Sequence, residues 1–497
     1  MRFLGLDIGT TRLKCGVYDE SGVLCYEYAA DYGETLRGEE KYIDIAAIER
    51  EAKNAVVNAY KVCPFEALAV SSLGESFVLL DDNDNILVPP MLYTDARGKD
   101  EAKYMMKDAE RIFGIAGVFP HAMYGAYKLL YIKNNYPILY AKAKKVMQVN
   151  EYIAYKLTGI RALDCSMSAR TGIADIHKKE ISNELCDLFG INKELYSPVV
   201  PCGSIVGKMK KDFADALGAD KDIFVVAGAQ DQVCATIGSG ALEAGECADG
   251  MGTVECITAI YKKPSADSKM GKCGYPNVPF AIDGLYATYL LNYSCGSLTR
   301  WWLRNCYGNN SIASGQAFIK AEKDFCDKPT DLLVLPYFDG AATPFQDGDA
   351  RGAIIGLSLA DSPSRVYQGI LEGLCYEMRL NLETAEVFGI RPNKLIATGG
   401  GSHSKKWLQI KADVCGLPIY PLIAKEAGVC GAAMLAYAAV TKQSIKEIVP
   451  KFVHYEQPLL PRKDVKAAYD KLYHKYKTLY KLIKATQANQ GDEYANL

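Results

Sequence analysis

The sequence predicts an α/β fold that arose by internal duplication, with a cleft between its two halves. A short apolar strand runs into a turn at residues 7–11, and a turn of similar design lies at 249–253, before an alternating run at 255–261. Helical and strand-like patterns alternate along both halves, which is typical of α/β proteins. Because 497 residues are too many for one hydrophobic core, the length itself indicates roughly two to four domains.

The composition favours a globular protein that acts on a small molecule. Hydrophobic residues make up 49% of the chain and charged residues 23%, as in ordinary folded domains. The net charge of −2 offers no basic surface for nucleic acid or for an anionic membrane. No apolar run is long enough to span a membrane, and Asp7 interrupts any signal-peptide core. We therefore expect a cytoplasmic protein.

The 16 cysteines lie scattered, one at a time, in apolar segments, and no CxxC motif occurs. Such cysteines are typical of small, reduced, buried side chains in a cytoplasmic protein. The spacing argues against a disulfide framework and against a zinc or iron–sulfur site.

The first hairpin is predicted from two strands, at 3–6 and 13–18, around the turn Asp7-Ile8-Gly9-Thr10-Thr11. Such a turn can direct backbone N–H groups and hydroxyls to one point and so bind phosphate without a helix. An ordinary polar hairpin turn is the alternative. The second hairpin, at 249–253, repeats the design.

The central stretch contains the candidate catalytic group. A strand at 224–226 breaks into Gly228-Ala229-Gln230-Asp231-Gln232, and a carboxylate just past a buried strand can be held rigidly at the mouth of a cleft. Asp231 is therefore the candidate general base. The alternative is that Asp231 only caps the helix predicted at 232–237.

Further elements are predicted from hydrophobic periodicity. Strands are predicted at 67–71, 76–80, 332–336 and 395–397, and helices at 48–62, 99–113, 127–134, 150–159, 366–388, 406–415 and 464–485. The glycines at 399–401 join a strand to a helix, which is a suitable place for a nucleotide to meet a helix N-terminus. The last helix is amphipathic and is expected to pack on the second domain.

Several motifs, in one order, resemble the FGGY carbohydrate kinases of the actin-like ATPase superfamily. They are DIGTT at 7–11, YTDARG at 93–98, AGAQDQ at 227–232, LPYFDGAATPFQDGDARGAIIGL at 335–357 and GGGSHSKKW at 399–407. The resemblance extends from residue 1 to about 440. It implies two duplicated actin-like ATPase (ribonuclease H-like) domains with a central catalytic cleft. We expect the N-terminal domain, with the sugar site and catalytic Asp, at 1–245, and the ATP-binding C-terminal domain with its C-terminal helices at 246–497.

The same resemblance implies an ATP-dependent, Mg²⁺-requiring kinase that phosphorylates a sugar hydroxyl. Asp231 matches the catalytic aspartate of the family, and Asp7 would orient Mg²⁺ through water. The residues expected to bind ATP are Thr10, Thr11, Lys14, Gly252, Thr253, Gly296, Arg300, Gly400, Gly401 and Ser402. Those expected to bind the sugar are Glu75, Tyr93, Asp95, Arg97, Tyr124 and Gln232.

The identity of the sugar stays open at this level. The loop Gly74-Glu75-Ser76 stands where xylulokinases tend to carry Met-His and glycerol kinases Arg-Glu. A ketopentose such as xylulose is the first choice, and glycerol or another polyol is second because of Glu75. Deoxyhexuloses, gluconate and the sugar of autoinducer kinases are further alternatives.

Other interpretations concern single residues and the class of protein. Asp95 and Arg97 could form a salt bridge that only shapes their loop, and Tyr124 could belong to the core. An actin-like switching ATPase is the alternative from another class. A Rossmann dehydrogenase does not fit, since no GxGxxG follows the first strand. A homodimer is compatible with the family.

Overall fold

The computed structural model describes residues 1–33, 35–306, 316–424 and 426–488. Within these ranges, none of the helices has the length and apolar character that crossing a membrane requires.

Fourteen strands and ten α-helices form the first half of the chain. The strands are β1 (Arg2–Ile8), β2 (Arg12–Asp19), β3 (Leu24–Asp31), β4 (Thr35–Arg37), β5 (Glu40–Tyr42), β6 (Ala67–Ser72), β7 (Phe77–Leu80), β8 (Lys145–Gln148), β9 (Leu163–Asp164), β10 (Ala174–Asp175), β11 (Glu180–Ile181), β12 (Val199–Val200), β13 (Ile205–Lys208) and β14 (Phe224–Gln230). The helices are α1 (Ile45–Val62), α2 (Lys99–Met105), α3 (Ala109–Ala116), α4 (Gly125–Asn135), α5 (Pro137–Tyr140), α6 (Val149–Thr158), α7 (Cys165–Ala169), α8 (Asn183–Phe189), α9 (Lys211–Leu217) and α10 (Asp231–Ser239).

The described part of the second half continues with eight strands and eight α-helices. The strands are β15 (Glu246–Met251), β16 (Glu255–Tyr261), β17 (Val278–Pro279), β18 (Tyr286–Asn292), β19 (Leu333–Leu335), β20 (Ala353–Ile355), β21 (Lys394–Thr398) and β22 (Ile419–Pro421). The helices are α11 (Ser268–Lys272), α12 (Gly296–Asn305), α13 (Gln316–Glu322), α14 (Pro363–Val387), α15 (Lys405–Cys415), α16 (Ala427–Thr441), α17 (Ile445–Phe452) and α18 (Lys463–Ala488).

Each half contains a six-stranded mixed sheet of the same design. The first has the order β13, β14, β6, β1, β2, β3. Written in the matching direction, the second has the order β22, β21, β15, β16, β18, β17. In the first sheet β1 pairs antiparallel with β2 and parallel with β6. In the second, β15 pairs antiparallel with β16 and parallel with β21. The hairpins β1–β2 and β15–β16 thus occupy equivalent places, and the predicted duplication is confirmed.

Two helices from different halves cross at close range between the sheets. A Cβ atom at Gly238 of α10 would collide with the carbonyl oxygen of Ala427, and one at Gly431 of α16 would collide with that of Cys234. A side chain at Gly5 of β1 would likewise strike the backbone of α16. These glycines allow the backbones to approach closely, so that α16 of the second half packs directly on the first sheet.

Most predicted elements agree with the structure to within about three residues at either end. The tail helix α18 packs on the second half through buried Tyr469, Tyr473 and Tyr476, whose rings lie near that of Tyr376. The single helix predicted at 99–113 is wrong. It is interrupted by a 3₁₀ turn at Met106–Asp108, and this tighter turn separates the buried positions of α2 from those of α3.

The cysteines follow the prediction in part. All 16 are free thiols. Most are buried or half-buried, but Cys25, Cys306 and Cys326 are exposed.

Candidate functional site

Asp231 is the first residue of α10 and follows directly on the buried strand β14. Its Oδ1 accepts hydrogen bonds from the backbone N–H of Gln232 at 2.6 Å and from Nε2 of Gln230 at 2.5 Å. The N-cap of α10 is Gln230, without a side-chain cap hydrogen bond, so the interpretation of Asp231 as the helix cap is wrong.

The surroundings of Asp231 favour its protonated form in the protein without ligands. Burial is the largest cause and, together with the negative charges of Asp7 and Glu75, raises the pKa of Asp231 to about 8. The N–H of Gln232 and the Arg170 guanidinium act in the opposite direction. A carboxyl group with a pKa near neutrality is suited to exchange protons with a substrate.

Asp7 belongs to β1 rather than to the turn after it, and pairs across the sheet with Lys14 and Ser71. Its Oδ1 is buried and has no hydrogen-bond partner within the described residues. Burial raises the pKa of Asp7, while Ser71 and Lys14 partly offset that effect. A Cβ atom at Gly428, in the first turn of α16, would lie 2.8 Å from Oδ2. Glycine therefore keeps a space open beside this carboxylate.

The tip of the first hairpin contains Thr10 and Thr11, which are half-buried and exposed respectively. Lys14 points elsewhere: its Nζ binds Oε2 of Glu426 at 2.6 Å. Both residues of this pair line a cavity of about 740 Å³ between β2–β3 and the segment 423–454. The structure thus brings Lys14 to the boundary of the two halves, where Glu426 neutralises it.

A second cavity, of about 650 Å³, lies in the second half. It is lined by six of the predicted nucleotide-binding residues, namely Gly252, Thr253, Gly296, Arg300, Gly400 and Gly401. Ser402 is buried behind them and donates its hydroxyl hydrogen to the carbonyl of Gly399 at 2.7 Å. Gly399 has φ = +79°, a conformation that favours glycine, and it turns the chain from β21 into the wall of this cavity.

Several other residues of this cavity were not predicted. They are Met251, Thr299, Phe318, Ile319, Glu322, Tyr367, His403, Ser404 and Trp407. His403, Ser404 and Trp407 lie within the GGGSHSKKW motif and could have been found from it. The aromatic residues Phe318 and Tyr367 come from separate helices, and no local pattern marks them.

A buried ion cluster stabilises the hairpin β15–β16. Nζ of Lys411, on α15, binds Oδ2 of Asp249 at 2.5 Å and also binds Oε1 of Glu255. All three side chains are fully buried. The two carboxylates raise the pKa of Lys411 well above its ordinary value, against the effect of burial. Because the carboxylates flank the turn at 252–253, the cluster fixes the part of the hairpin that faces the cavity.

Glu75, in the loop between β6 and β7, is buried with φ = +64°, and its charge acts on Asp231. This backbone conformation is uncommon for a residue other than glycine. Oε1 of Glu75 accepts hydrogen bonds from Nε of Arg170 at 2.6 Å and from its Nη2. The Arg170 guanidinium carbon lies 5.1 Å from the ring centroid of Tyr124 and 5.4 Å from that of Tyr289.

Tyr289 is contributed by the second half of the chain, on β18. Its hydroxyl donates to Oε1 of Gln230 at 2.8 Å. The predictions did not include Arg170, Tyr289 or Gln230 as site residues. Only Gln230 lies in a motif, AGAQDQ, that could have indicated it.

Asp95 and Arg97 form the salt bridge that was the alternative interpretation. Arg97 donates from Nε to Oδ1 at 2.7 Å and from Nη2 to Oδ2 at 2.8 Å. Oδ2 also accepts the backbone N–H of Lys41 at 2.7 Å. Although burial acts to raise it, these bonds hold the pKa of Asp95 below its usual value. Nearby, Nζ of the buried Lys128 donates to the backbone carbonyl of Asp95 at 2.7 Å.

The remaining predicted sugar-site residues are Tyr124, Tyr93 and Gln232. Tyr124 packs in the core, and its ring also contacts the Arg170 guanidinium. Tyr93 is half-buried against the hydrophobic core between the first sheet and α1. Gln232 is half-buried next to Asp231. In the part of the chain that is described, no three His, Cys, Asp or Glu side chains converge as a metal site would require.

Comparison with known proteins matches the two halves of the chain to the two domains of one family. Residues 2–238 match the model of the N-terminal domain of the FGGY family of carbohydrate kinases, and residues 250–440 match that of its C-terminal domain. The chain is 25% identical to the xylulose kinase of Bacillus subtilis (strain 168) over 486 residues, with 96% of each chain covered. It is also 25% identical to the gluconokinase of the same organism over 456 residues, with 88% of each covered.

A solved structure shares the fold over its whole length. The crystal structure of a xyloylose kinase from Brucella ovis superposes with a TM-score of 0.91 at 24% identity, and covers 98% of this chain and 100% of that one. The predicted two-domain α/β fold is thereby confirmed.

Proposed function

Since the chain belongs to the FGGY family of carbohydrate kinases, we propose that it transfers the γ-phosphate of ATP to a hydroxyl group of a ketopentose such as xylulose. The protein is a sugar phosphotransferase, and sugar kinases of this family use ATP as the phosphate donor. It is therefore a sugar kinase rather than an actin-like switching ATPase.

The observation that carries the proposal is the environment of Asp231. Phosphoryl transfer to a sugar needs a group that receives the hydroxyl proton as the oxygen attacks. Asp231 has one oxygen held by Gln230 and Gln232, which leaves Oδ2 for the substrate. Its raised pKa means that the proton, once accepted, is held without a large penalty. Asp231 thus acts as the general base.

Asp7 is the residue that would hold Mg²⁺, through water. The fit rests on its buried Oδ1, which lacks a hydrogen-bond partner among the described residues, and on the space that Gly428 leaves beside it. Carboxylate oxygen and water are the ligands that Mg²⁺ prefers. When bound, the ion supplies positive charge that offsets the charge of the phosphates.

We assign ATP to the cavity of the second domain. Its six predicted lining residues support this, with Ser402 buried behind them and the adenosine placed against Gly400 and Gly401. Thr10 and Thr11 at the first hairpin would meet the phosphates from the other side. Lys14 could join them only if it released Glu426. We propose that the two domains span 1–245 and 246–497.

The sugar pocket is assigned to the first domain, next to Asp231. Glu75, Tyr124 and Gln232 are the proposed contacts with the sugar, together with Tyr93. We assign the paired Asp95 and Arg97 to the same pocket, with their ion pair shaping the wall that the sugar meets. Closure of the domains around the sugar would exclude water, which competes as an acceptor. Small-angle scattering should show compaction when nucleotide and sugar are both present.

Xylulose is preferred because the B. subtilis xylulose kinase matches over 96% of both chains. The gluconokinase relative keeps gluconate as the second candidate, and Glu75 keeps glycerol or another polyol as the third. Deoxyhexuloses and the autoinducer sugar complete the set. We place the protein in the cytoplasm on its composition, and a homodimer is compatible with the proposal.

An ADP-release assay with MgATP and a panel of ketopentoses, ketohexoses, polyols and aldonates tests the choice. The proposal predicts the highest kcat/KM with a ketopentose, by about tenfold or more over the other classes. A preference of that size for an aldonate or a polyol would contradict it.

A further inference from the structure

Arg170 is a buried arginine whose guanidinium is only partly used. The residue is 4% exposed and lies directly after α7. Its Nε and Nη2 bind Oε1 of Glu75. Its Nη1 is buried and has no hydrogen-bond partner within the residues that the structure describes. A buried donor without a partner is unfavourable, so a ligand or a bound water is expected to satisfy it.

The position of Arg170 places this donor in the proposed sugar pocket. Its guanidinium lies near the rings of Tyr124, from the first domain, and Tyr289, from the second. It is also close enough to Asp231 to lower the pKa of that carboxyl group. Arg170 therefore stands where both domains meet beside the candidate base.

The glycine at position 74 explains how the arginine reaches this place. A Cβ atom at Gly74 would lie 3.3 Å from Cγ and 3.6 Å from Nε of Arg170. The Arg170 side chain thus covers the face of Gly74 and fills the space that a larger residue there would occupy. The loop 74–76 provides the carboxylate of Glu75, and the guanidinium beside it comes from a residue distant in the sequence.

Glu75 offers the complementary acceptor. Both of its bonds to Arg170 use Oε1, and Oε2 accepts no hydrogen bond from the described residues. The ion pair therefore presents one N–H donor, Nη1, and one carboxylate acceptor, Oε2. A hydroxyl group can accept from the first and donate to the second, and so can two oxygens on neighbouring carbons.

We propose that Arg170 is a sugar-binding residue that determines specificity, with Nη1 donating to an oxygen of the acceptor sugar while Oε2 of Glu75 accepts from a hydroxyl. The paired charges select a neutral hydroxyl or keto oxygen at this end of the sugar, because a carboxylate would meet the negative Oε2 of Glu75. The inference rests on the proposed function and narrows its substrate class.

The test compares wild type with Arg170→Lys, using the sugar that wild type accepts best and its monodeoxy analogues. Lysine keeps a cation for Glu75 but lacks the forked geometry of arginine. The KM for the sugar should rise by about ten- to hundredfold, with the KM for ATP within about twofold of wild type. Arg161→Met is the matched control, since Arg161 binds Ser197 and Leu195 in the same domain, and it should leave both constants unchanged.

The analogues separate direct contact from a structural role. With wild type, the kcat/KM for one deoxy analogue should be about tenfold or more below that for the parent sugar. For that same analogue, the Arg170→Lys variant should have a kcat/KM little below that of wild type. If Arg170→Lys lowers kcat/KM by the same factor for the parent sugar and for every analogue, the proposal is overturned. An unchanged KM for the sugar also overturns it, since only water would then bind Nη1.

If the lysine variant does not fold, Arg170→Gln replaces it in the same comparison, because glutamine keeps an uncharged donor for Glu75. If the sugar that wild type accepts best is an aldonate, the proposed function and the selection of a neutral oxygen both fail. The deoxy series then still decides whether Arg170 contacts the sugar.

Discussion

Tyr289 of the second domain donates its hydroxyl hydrogen to Oε1 of Gln230 in the first domain at 2.8 Å. Gln230 in turn donates from Nε2 to Oδ1 of Asp231 at 2.5 Å. The orientation of the candidate base is therefore linked to the contact between the domains. A change in the domain arrangement that moves Tyr289 will also release the amide group that holds Asp231.

Removal of the Tyr289 hydroxyl tests this link. In Tyr289→Phe the ring still packs on Arg170, but the Gln230 amide loses its partner and holds Asp231 less firmly. We expect kcat to fall by about three- to tenfold and the free energy of unfolding to fall by about 1 kcal/mol. Tyr286→Phe, on the same strand but with a long 3.5 Å bond to Ile176, is the control and should behave as wild type. Equal kcat values for Tyr289→Phe and wild type would show that the link has no catalytic effect.

The pH profile of the reaction should show an acid limb that belongs to Asp231. A general base must be ionised, and the pKa of Asp231 is raised to about 8 in the protein without ligands, chiefly by burial. The value of kcat/KM for the sugar should therefore rise by up to about tenfold per pH unit below that pKa. Bound Mg²⁺ would move the limb to lower pH, since a nearby cation favours the ionised carboxylate. A profile that falls as the pH rises through this range would contradict the assignment.

The same carboxyl group should make the ligand-free protein less stable at high pH. Because the pKa in the folded state lies above the ordinary 3.8, the protonated form favours folding. That contribution is fully present below about pH 4 and is lost as the pH rises through about 8. Asp231→Asn stays neutral, so its advantage in free energy of unfolding over wild type should grow across this window, by about 1–3 kcal/mol. Urea unfolding near pH 5 and near pH 9 measures it, and an advantage that is the same at both would refute the raised pKa.

Lys411 should support nucleotide binding through the buried cluster. In Lys411→Met the carboxylates of Asp249 and Glu255 lose their shared cation, which should lower the free energy of unfolding by about 3–5 kcal/mol. The loosened hairpin should raise the KM for ATP by about tenfold and leave the KM for the sugar within about twofold. Lys405→Met, on the same helix with an exposed pair to Glu456, is the control. Equal increases in both KM values would indicate a general loss of structure instead of an effect on the hairpin.

Much of the fold and part of the lining of the candidate nucleotide cavity could be predicted because the relevant signals are local. The turn at 7–11 and the glycines at 399–401 carry their geometry within a few residues. Of these two segments, only the glycines contribute to the cavity of the second half, which Gly400 and Gly401 line. The break at Met106–Asp108 escaped prediction because the apolar spacing continues through it.

The candidate sugar site could be predicted only in part, because its contacts join distant segments. Glu75 lies in a recognisable loop, but its partner Arg170 is 95 residues away. Lys14 was expected at the phosphates, yet Glu426 binds it from 412 residues away. Nothing in the local pattern of either segment indicates such partners.

Turnover of Asp231→Asn is the most direct test of the central claim, that Asp231 is the general base. Sugar and MgATP should bind with affinities close to those of wild type, and sugar-dependent ADP release should fall by about 10²–10⁴-fold. Asp84→Asn is the matched control, because Asp84 adopts φ = +62°, which asparagine also tolerates, and lies with Lys145 and Tyr155 away from the cleft. The account predicts normal turnover for that variant. Sugar-dependent turnover of Asp231→Asn within about threefold of wild type would contradict the account.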